Sequence, residues 1–117
     1  MKGYRDVTVK ASGKVVGCDP DPAVLYFRKG PDCLRFAFPD PPKEVASVVI
    51  RWKDPNRPLF AGLGFAPSSV GSRLPDIVTR GNNQIPGYYE YTVQLLDAQG
   101  QVVAEVDPGA DNKGDPP

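Results

Sequence analysis

Apolar side chains return at every second position in several short runs, separated by proline and glycine. The clearest run is Tyr89, Tyr91, Val93 and Leu95, with Tyr88, Glu90, Thr92 and Gln94 on the other parity. That alternation predicts a strand with one buried and one wetted face. Asp97-Ala98-Gln99-Gly100 follows as a turn, and Val102, Ala104 and Val106 alternate with Val103, Glu105 and Asp107 in a return strand. The 85–108 stretch is therefore expected as a hairpin with one apolar face, which a second layer must cover.

Earlier segments repeat the signal. Val7 and Val9 alternate with Thr8 and Lys10, and a turn over residues 11–14 leads into Val15-Val16. A rigid corner, Cys18-Asp19-Pro20-Asp21-Pro22, precedes a strand over residues 23–28. Leu34, Phe36 and Phe38 share one face of the next strand, and Val48, Ile50 and Trp52 share one face of the strand after it, with Arg51 and Lys53 in water. Glycines, serines and Pro67 interrupt Leu59, Phe60, Leu63 and Phe65, which predicts an irregular 59–73 loop pinned by its aromatics. A short strand around Ile77-Val78-Thr79 and a turn at Gly81-Asn82-Asn83 complete the framework.

About seven strands without helical periodicity predict one all-β domain over residues 1–108, an antiparallel β-sandwich of immunoglobulin-like or cupredoxin-like Greek-key type. Its expected core is Val7, Val9, Leu34, Phe36, Phe38, Val48, Ile50, Trp52, Tyr89, Tyr91, Val93, Leu95, Val102, Ala104 and Val106. Residues 109–117 hold only Ala110 as an apolar side chain, which predicts a tail that is loose unless tied down. The 14 Pro and 12 Gly in 117 residues reinforce the expectation of short strands.

Charge changes the picture little. Fourteen Lys/Arg balance fourteen Asp/Glu, so no global field gathers nucleic acid or an anionic membrane. Residues 1–80 carry thirteen basic and eight acidic side chains, and residues 81–117 carry one and six. Pairing of the two parts within one fold is the expectation. The charged start, Met-Lys-Gly-Tyr-Arg-Asp, has no apolar run behind it, so no signal peptide is expected. No apolar stretch reaches the roughly 18 residues of a transmembrane helix. The expected setting is cytoplasmic, with Cys18 and Cys33 as two thiols rather than a bridge.

The residue inventory argues against most chemistry. There is no His, which removes Ser-His-Asp and Cys-His nucleophile systems and the commonest zinc or copper ligand. Six of the eleven Asp precede Pro, at Asp19, Asp21, Asp40, Asp54, Asp107 and Asp115, and read as turn initiators. Calcium on Asp107, Asp111, Asn112 and Asp115 fails on spacing, and no metal or cofactor is expected. Asp19 and Asp21 beside Cys18 raise a thiol pKa and work against a reactive thiolate. Gly62-Leu63-Gly64 lacks the third glycine of a dinucleotide loop and reads as a tight turn.

Arg51, Lys53 and Arg57 flank Trp52 and could form a basic patch, but Asp54 and Glu90 are at hand to pair with them, so a solvated sheet face is preferred over nucleic-acid binding. Tyr88 is the one aromatic on the outward parity of the hairpin, and a partner surface is its sharpest functional reading.

Gly87-x-Tyr89-x-Tyr91-x-Val93 resembles the strand of immunoglobulin-like domains that starts near a tyrosine corner, with Tyr89 and Trp52 in the matching places. Tyr91 stands where the disulfide cysteine would be, so no inter-sheet bridge is implied. Pro86 to Tyr91 also looks like the strand before the copper loop of cupredoxins, without the ligands that copper needs. The Asp-Pro segments and the hairpin ending Glu105-Val106-Asp107-Pro108 resemble short bacterial proteins of the functionally uncharacterised DP-EP type, which implies a small β-sandwich and no functional residues.

The expected function is a non-enzymatic protein-binding or assembly module, with Tyr88, Arg51, Lys53 and Arg57 as the interaction residues and another protein or a second copy as partner. The alternatives are a small-ligand domain, glycan binding through Trp52, Tyr88 or Tyr26, or a carboxylate-based enzyme with its site in the 59–73 region.

Overall fold

The computed structural model describes residues 1–63 and 67–117, and the protein is all-β, with no helix among the described residues. Phe65 and Gly64, which belong to the expected 59–73 loop, lie outside the described residues. Among the described residues eleven strands appear: β1 (Tyr4–Ser12), β2 (Val15–Asp19), β3 (Ala23–Tyr26), β4 (Cys33–Ala37), β5 (Ser47–Trp52), β6 (Phe60–Leu63), β7 (Ser68–Ser69), β8 (Thr79–Asn82), β9 (Gly87–Leu96), β10 (Val102–Val106) and β11 (Gly109–Lys113).

The strands form three sheets, ordered β2-β1-β4, β3-β11-β9-β5-β7 with β10 also on β9, and β6-β8. Two pairings are parallel, β1 with β4 and β3 with β11. The expectation of purely antiparallel sheets is thus corrected. Alternation reveals which residues form strands but not how distant strands pair, and parallel neighbours require a long crossover that leaves no local turn signature.

The first hairpin, β1 with β2, turns at Gly13-Lys14, where Gly13 has φ +61°. That backbone favours glycine, and Ser12 pairs with Val15 across it. In β9, Tyr89, Tyr91, Val93 and Leu95 are all buried. Phe36 on β4 meets Tyr91 edge-on at 5.6 Å, and Trp52 on β5 meets Phe60 on β6 at the same separation. These aromatic pairs join the three sheets into one core.

Two of the expected core positions depart from expectation. Val102 is 51% exposed and Val106 is half-buried, packed against the core. Val102 pairs with Leu96 while Ala104 pairs with Leu95, so a bulge puts two steps of β10 against one of β9 and breaks the parity read from the sequence. In the 59–73 region, Phe60–Leu63 and Ser68–Ser69 are strands, so that part is not an irregular loop. Gly62 lies in β6, where a Cβ would come within 2.8 Å of the Arg80 side chain. Its role is close approach, not a tight turn. Residues Ile77 and Val78 precede β8 rather than forming its centre, because Thr79 starts the strand.

The largest correction concerns the tail. Gly109–Lys113 is β11, lying between β3 and β9 in the middle of the six-stranded sheet. It is held by its backbone on both edges, with Ala110 opposite Ala23 on β3 and opposite Tyr89 on β9. Asn112, 1% exposed, donates to Asn82 Oδ1 at 3.0 Å and to the Ile85 carbonyl at 3.2 Å, and accepts from Asn82 Nδ2 at 2.9 Å. Asp21 Oδ1 accepts the Gly109 N–H at 2.9 Å. Apolar burial was therefore the wrong measure for this segment, since backbone ladders and a satisfied amide cluster order it.

Two outcomes follow from this packing. A chain ending at Pro108 loses both ladders of β11, and its stability should fall by on the order of 5 kcal/mol, comparable to a whole small domain. An unchanged denaturant midpoint would contradict the role given to β11. The Tyr91 hydroxyl is buried without a normal hydrogen-bond partner, with the weakly polar Cys18 thiol beside it. Tyr91→Phe should therefore raise stability, by about 1 kcal/mol, read as a higher midpoint in thermal melts.

Candidate functional site

The expected interaction residues lie on β5, on β9 and in the connection that follows β5. Arg51 sits across from Thr92, and Ser47, Val48 and Val49 pair with Leu96, Leu95 and Gln94 along the same antiparallel ladder. Arg51 Nη2 donates to Gln94 Oε1, and Gln94 Nε2 donates to Glu105 Oε2 at 2.9 Å, forming a polar rung across three strands. Arg51 is thereby held on the flat of the sheet, away from the other three candidates.

Lys53, just past β5, places its ammonium 3.5 Å from Glu90 and 3.2 Å from Asp107. Thr92 Oγ1 donates to the other Asp107 oxygen at 2.7 Å. That hydrogen bond and the Lys53 ammonium hold the Asp107 carboxyl below its ordinary 3.8, while Asp107 and then Glu90 raise the Lys53 pKa. Of the three cations, Lys53 makes the expected pair with Glu90, while Arg51 goes to Gln94 and Arg57 to the Tyr88 carbonyl. Asp54 instead accepts the Asn56 N–H at 3.0 Å and closes its own Asp-Pro turn. Asp107 was missed because only the return of β10 brings it back beside Lys53.

Arg57 extends over the Tyr89 ring, 4.3 Å from its centroid, and donates to the Tyr88 carbonyl at 2.8 Å. Gly87, at φ +155°, makes room for it, since a Cβ there would lie 2.7 Å from Arg57 Nη2. The Tyr89 hydroxyl donates to the Ile85 carbonyl at 2.9 Å and accepts from Asn83 Nδ2 at 3.0 Å. This phenol thus closes the corner between Ile85 and Tyr89.

Tyr88 is 48% exposed, and the hydroxyl end of its ring lies over Gly109 of β11, where a Cβ would come within 2.0 Å of its hydroxyl. Partial desolvation raises its phenol pKa, with Asp21, Glu90 and Asp111 adding to the effect. Tyr88, Lys53 and Arg57 line one shallow depression of about 300 Å³ with Asp54 and Glu90. Three of the four candidates therefore converge, and Arg51 does not.

The other chemical candidates disperse. Asp107 binds Thr92 and Lys53, Asp111 lies 3.8 Å from Lys113, Asn112 turns inward and Asp115 pairs with Arg28 at 2.6 Å. Among the described residues no three His, Cys, Asp or Glu side chains group closely enough to hold a metal ion. Burial pushes the Cys18 thiol up to about 12, partly opposed by Tyr91 and reinforced by Asp21, and it pushes Cys33 up to about 11 with Asp32 adding to it. Trp52 is 6% exposed and does not offer its face to a sugar. Region 59–73 contains no Asp or Glu of its own, and neighbouring Asp76 accepts from Ser68 Oγ at 3.5 Å.

Part of the charge imbalance along the chain is taken up by pairs between its two parts. Lys53 pairs with Glu90 and Asp107, and Arg28 pairs with Asp115, each joining the basic part to the acidic part. No helix among the described residues is long and apolar enough to cross a membrane. No family model, curated protein or solved structure matches this chain. The fold and the surface geometry thus define an all-β protein with a mixed Tyr-Arg-Lys depression at the head of its central strand.

Acid should report on this face and on the separate Asp6–Arg35 pair. Asp107 and Asp6, the latter lowered mainly by its hydrogen bond from Arg35, have folded pKa values below their unfolded one, so their contribution is complete above about 3.8 and is lost as pH falls through the lower folded values. Denaturant midpoints should drop below pH 3.8, and Asp107→Asn should flatten part of that drop. Equal slopes for both proteins would remove Asp107 from the account.

Proposed function

We propose that this protein is a non-enzymatic binding or assembly module of β-sandwich type that engages a protein partner, or a second copy of itself, through the depression lined by Tyr88, Arg57 and Lys53. The observation that carries the reading is the convergence of a half-exposed tyrosine ring, a guanidinium stacked on Tyr89 and an ammonium at one concave place. Tyrosine and arginine supply large contact area and several donors with little further ordering, since Arg57 is already fixed by the Tyr88 carbonyl. The reading rests on that geometry and not on likeness to any protein of known activity.

The immunoglobulin-like form of the fold is favoured over the cupredoxin-like form by the Tyr89 hydroxyl bond to Ile85. The DP-EP resemblance remains part of the same proposal, supported by the Asp-Pro turns, of which Asp54-Pro55 is closed by the Asn56 N–H. A cytoplasmic setting belongs to it as well, supported by the two unbridged thiols.

Native mass spectrometry and sedimentation test the second-copy arm, and co-purification from source cells tests the other. Tyr88→Ser should weaken whichever complex forms by about tenfold or more, the scale of an interface hot spot. A wild-type protein that stays a solitary monomer in both experiments, or a complex indifferent to Tyr88→Ser and Lys53→Ser alike, would sink the proposal.

A further inference from the structure

A second concavity shares no residue with the Tyr88 depression. Among the described residues no strand pairs along the outer edge of β4, and the chain at this edge is fastened to the following segment at three places. Phe38 N–H donates to the Gly71 carbonyl at 2.9 Å and Leu74 N–H to the Phe36 carbonyl at 3.1 Å. Thr79 Oγ1 both accepts from Leu34 N–H, at 2.8 Å, and donates to the Leu34 carbonyl, at 2.5 Å. Between the last two anchors the chain closes a turn, with Ile77 N–H on the Leu74 carbonyl at 3.1 Å, and bows away from β4. The bow opens a groove of about 240 Å³.

The walls of the groove are of two kinds. Tyr4, Leu74, Pro75 and Val78 make it apolar, with Tyr4 and Val78 38% and 45% exposed. Arg35 and Arg73 line the same groove. Arg35 is pre-oriented, because Asp6 accepts from its Nε at 2.6 Å and its Nη2 at 3.2 Å while its guanidinium lies 5.4 Å from the Tyr4 ring centroid. Asp6 occupies two of its five N–H donors. Arg73 has no ion-pair partner among the described residues. Two guanidinium groups against one carboxylate leave a single positive charge in excess beside exposed apolar surface.

We propose that this groove binds a small organic acid: one carboxylate held by Arg73 and the free donors of Arg35, and one apolar body lying on Tyr4, Pro75 and Val78. The single excess charge matches a monoanion, and the planar guanidinium fork matches a carboxylate. The volume equals about eight waters of liquid, which suits a phenyl or branched-alkyl group with its acid. Inorganic phosphate would satisfy the cations but leave the apolar wall wet.

The test is a titration of the full chain, followed by amide NMR shifts, with phenylacetate as probe and with phenylacetamide and inorganic phosphate as controls. Saturable shifts should appear at Tyr4, Arg35, Val78 and Thr79 with millimolar or tighter affinity. Phenylacetamide should bind about tenfold more weakly, and Arg73→Gln should lower phenylacetate affinity by a similar factor, because each removes a charge-assisted hydrogen bond. Val78→Glu, at an exposed position that the fold does not need, should abolish binding by facing the anion with a like charge. Tyr88→Ser should leave it unchanged. Absence of saturable shifts, equal affinity for acid and amide, phosphate matching phenylacetate, or binding undiminished in both groove variants would each overturn the proposal.

Discussion

The backbone of β9 must be satisfied along both edges, and the rest of the molecule is arranged to do so. It is ten residues long and lies in the interior of its sheet. β5 covers one edge from Leu96 to Tyr91, while the other edge is shared, with β10 opposite Val93 to Leu96 and β11 opposite Gly87 to Glu90. β10 and β11, five residues each, divide that second edge between them. Asp107-Pro108 marks the handover, where the Pro108 carbonyl accepts the Tyr91 N–H at 3.0 Å. Buried N–H and C=O groups left open would cost more than ordering a polar segment to close them.

The same requirement explains the polar side chains in the interior. With 14 prolines, many connections lack the N–H groups needed to tie loops by backbone alone. Side chains substitute for them. Thr79 serves both backbone groups of Leu34, Asn112 and Asn82 exchange amide hydrogen bonds, and Asp21 takes the Gly109 N–H. These residues join β4 to β8, β11 to β8, and the Asp-Pro corner to β11. Each buried polar atom is useful because its partner is fixed, and removing one member would strand the other.

Across the surface, part of the exposed charge is consumed in pairing, and the two concavities are places where it is not fully balanced against shape. On the flat face, Arg51, Gln94 and Glu105 hold one another, as do Lys53, Glu90, Asp107 and Thr92. Such networks on an exposed sheet contribute little individually and mainly keep the face wetted. At the head of β9, tight glycine contacts seat the large polar side chains, Gly87 under Arg57 and Gly109 under Tyr88. A ring lying over a strand glycine covers backbone that would otherwise be open to water.

Period-two alternation identified β1, β4, β5, β9 and the inward row of Tyr89 to Leu95, since that signal needs only neighbours along the chain. It placed Trp52 in the core and Arg51 in water for the same reason. It failed at Val102, where the bulge is a property of two strands, and at β11, whose order comes from partners some twenty to ninety residues away. Of the candidate surface, Tyr88 was legible because it is the lone aromatic on the wetted parity. Its company with Lys53 and Arg57 rests on the β5–β9 register, and the Arg35–Arg73 groove rests on how residues 71–79 dock against β4. By itself the sequence determined strand-rich structure, a core face and the absence of histidine chemistry, which are local properties of residue type and spacing. Tertiary structure alone decided the parallel pairings, the central place of the C-terminal strand and the sites, because backbone hydrogen bonds between distant segments are indifferent to the side chains from which the sequence is read.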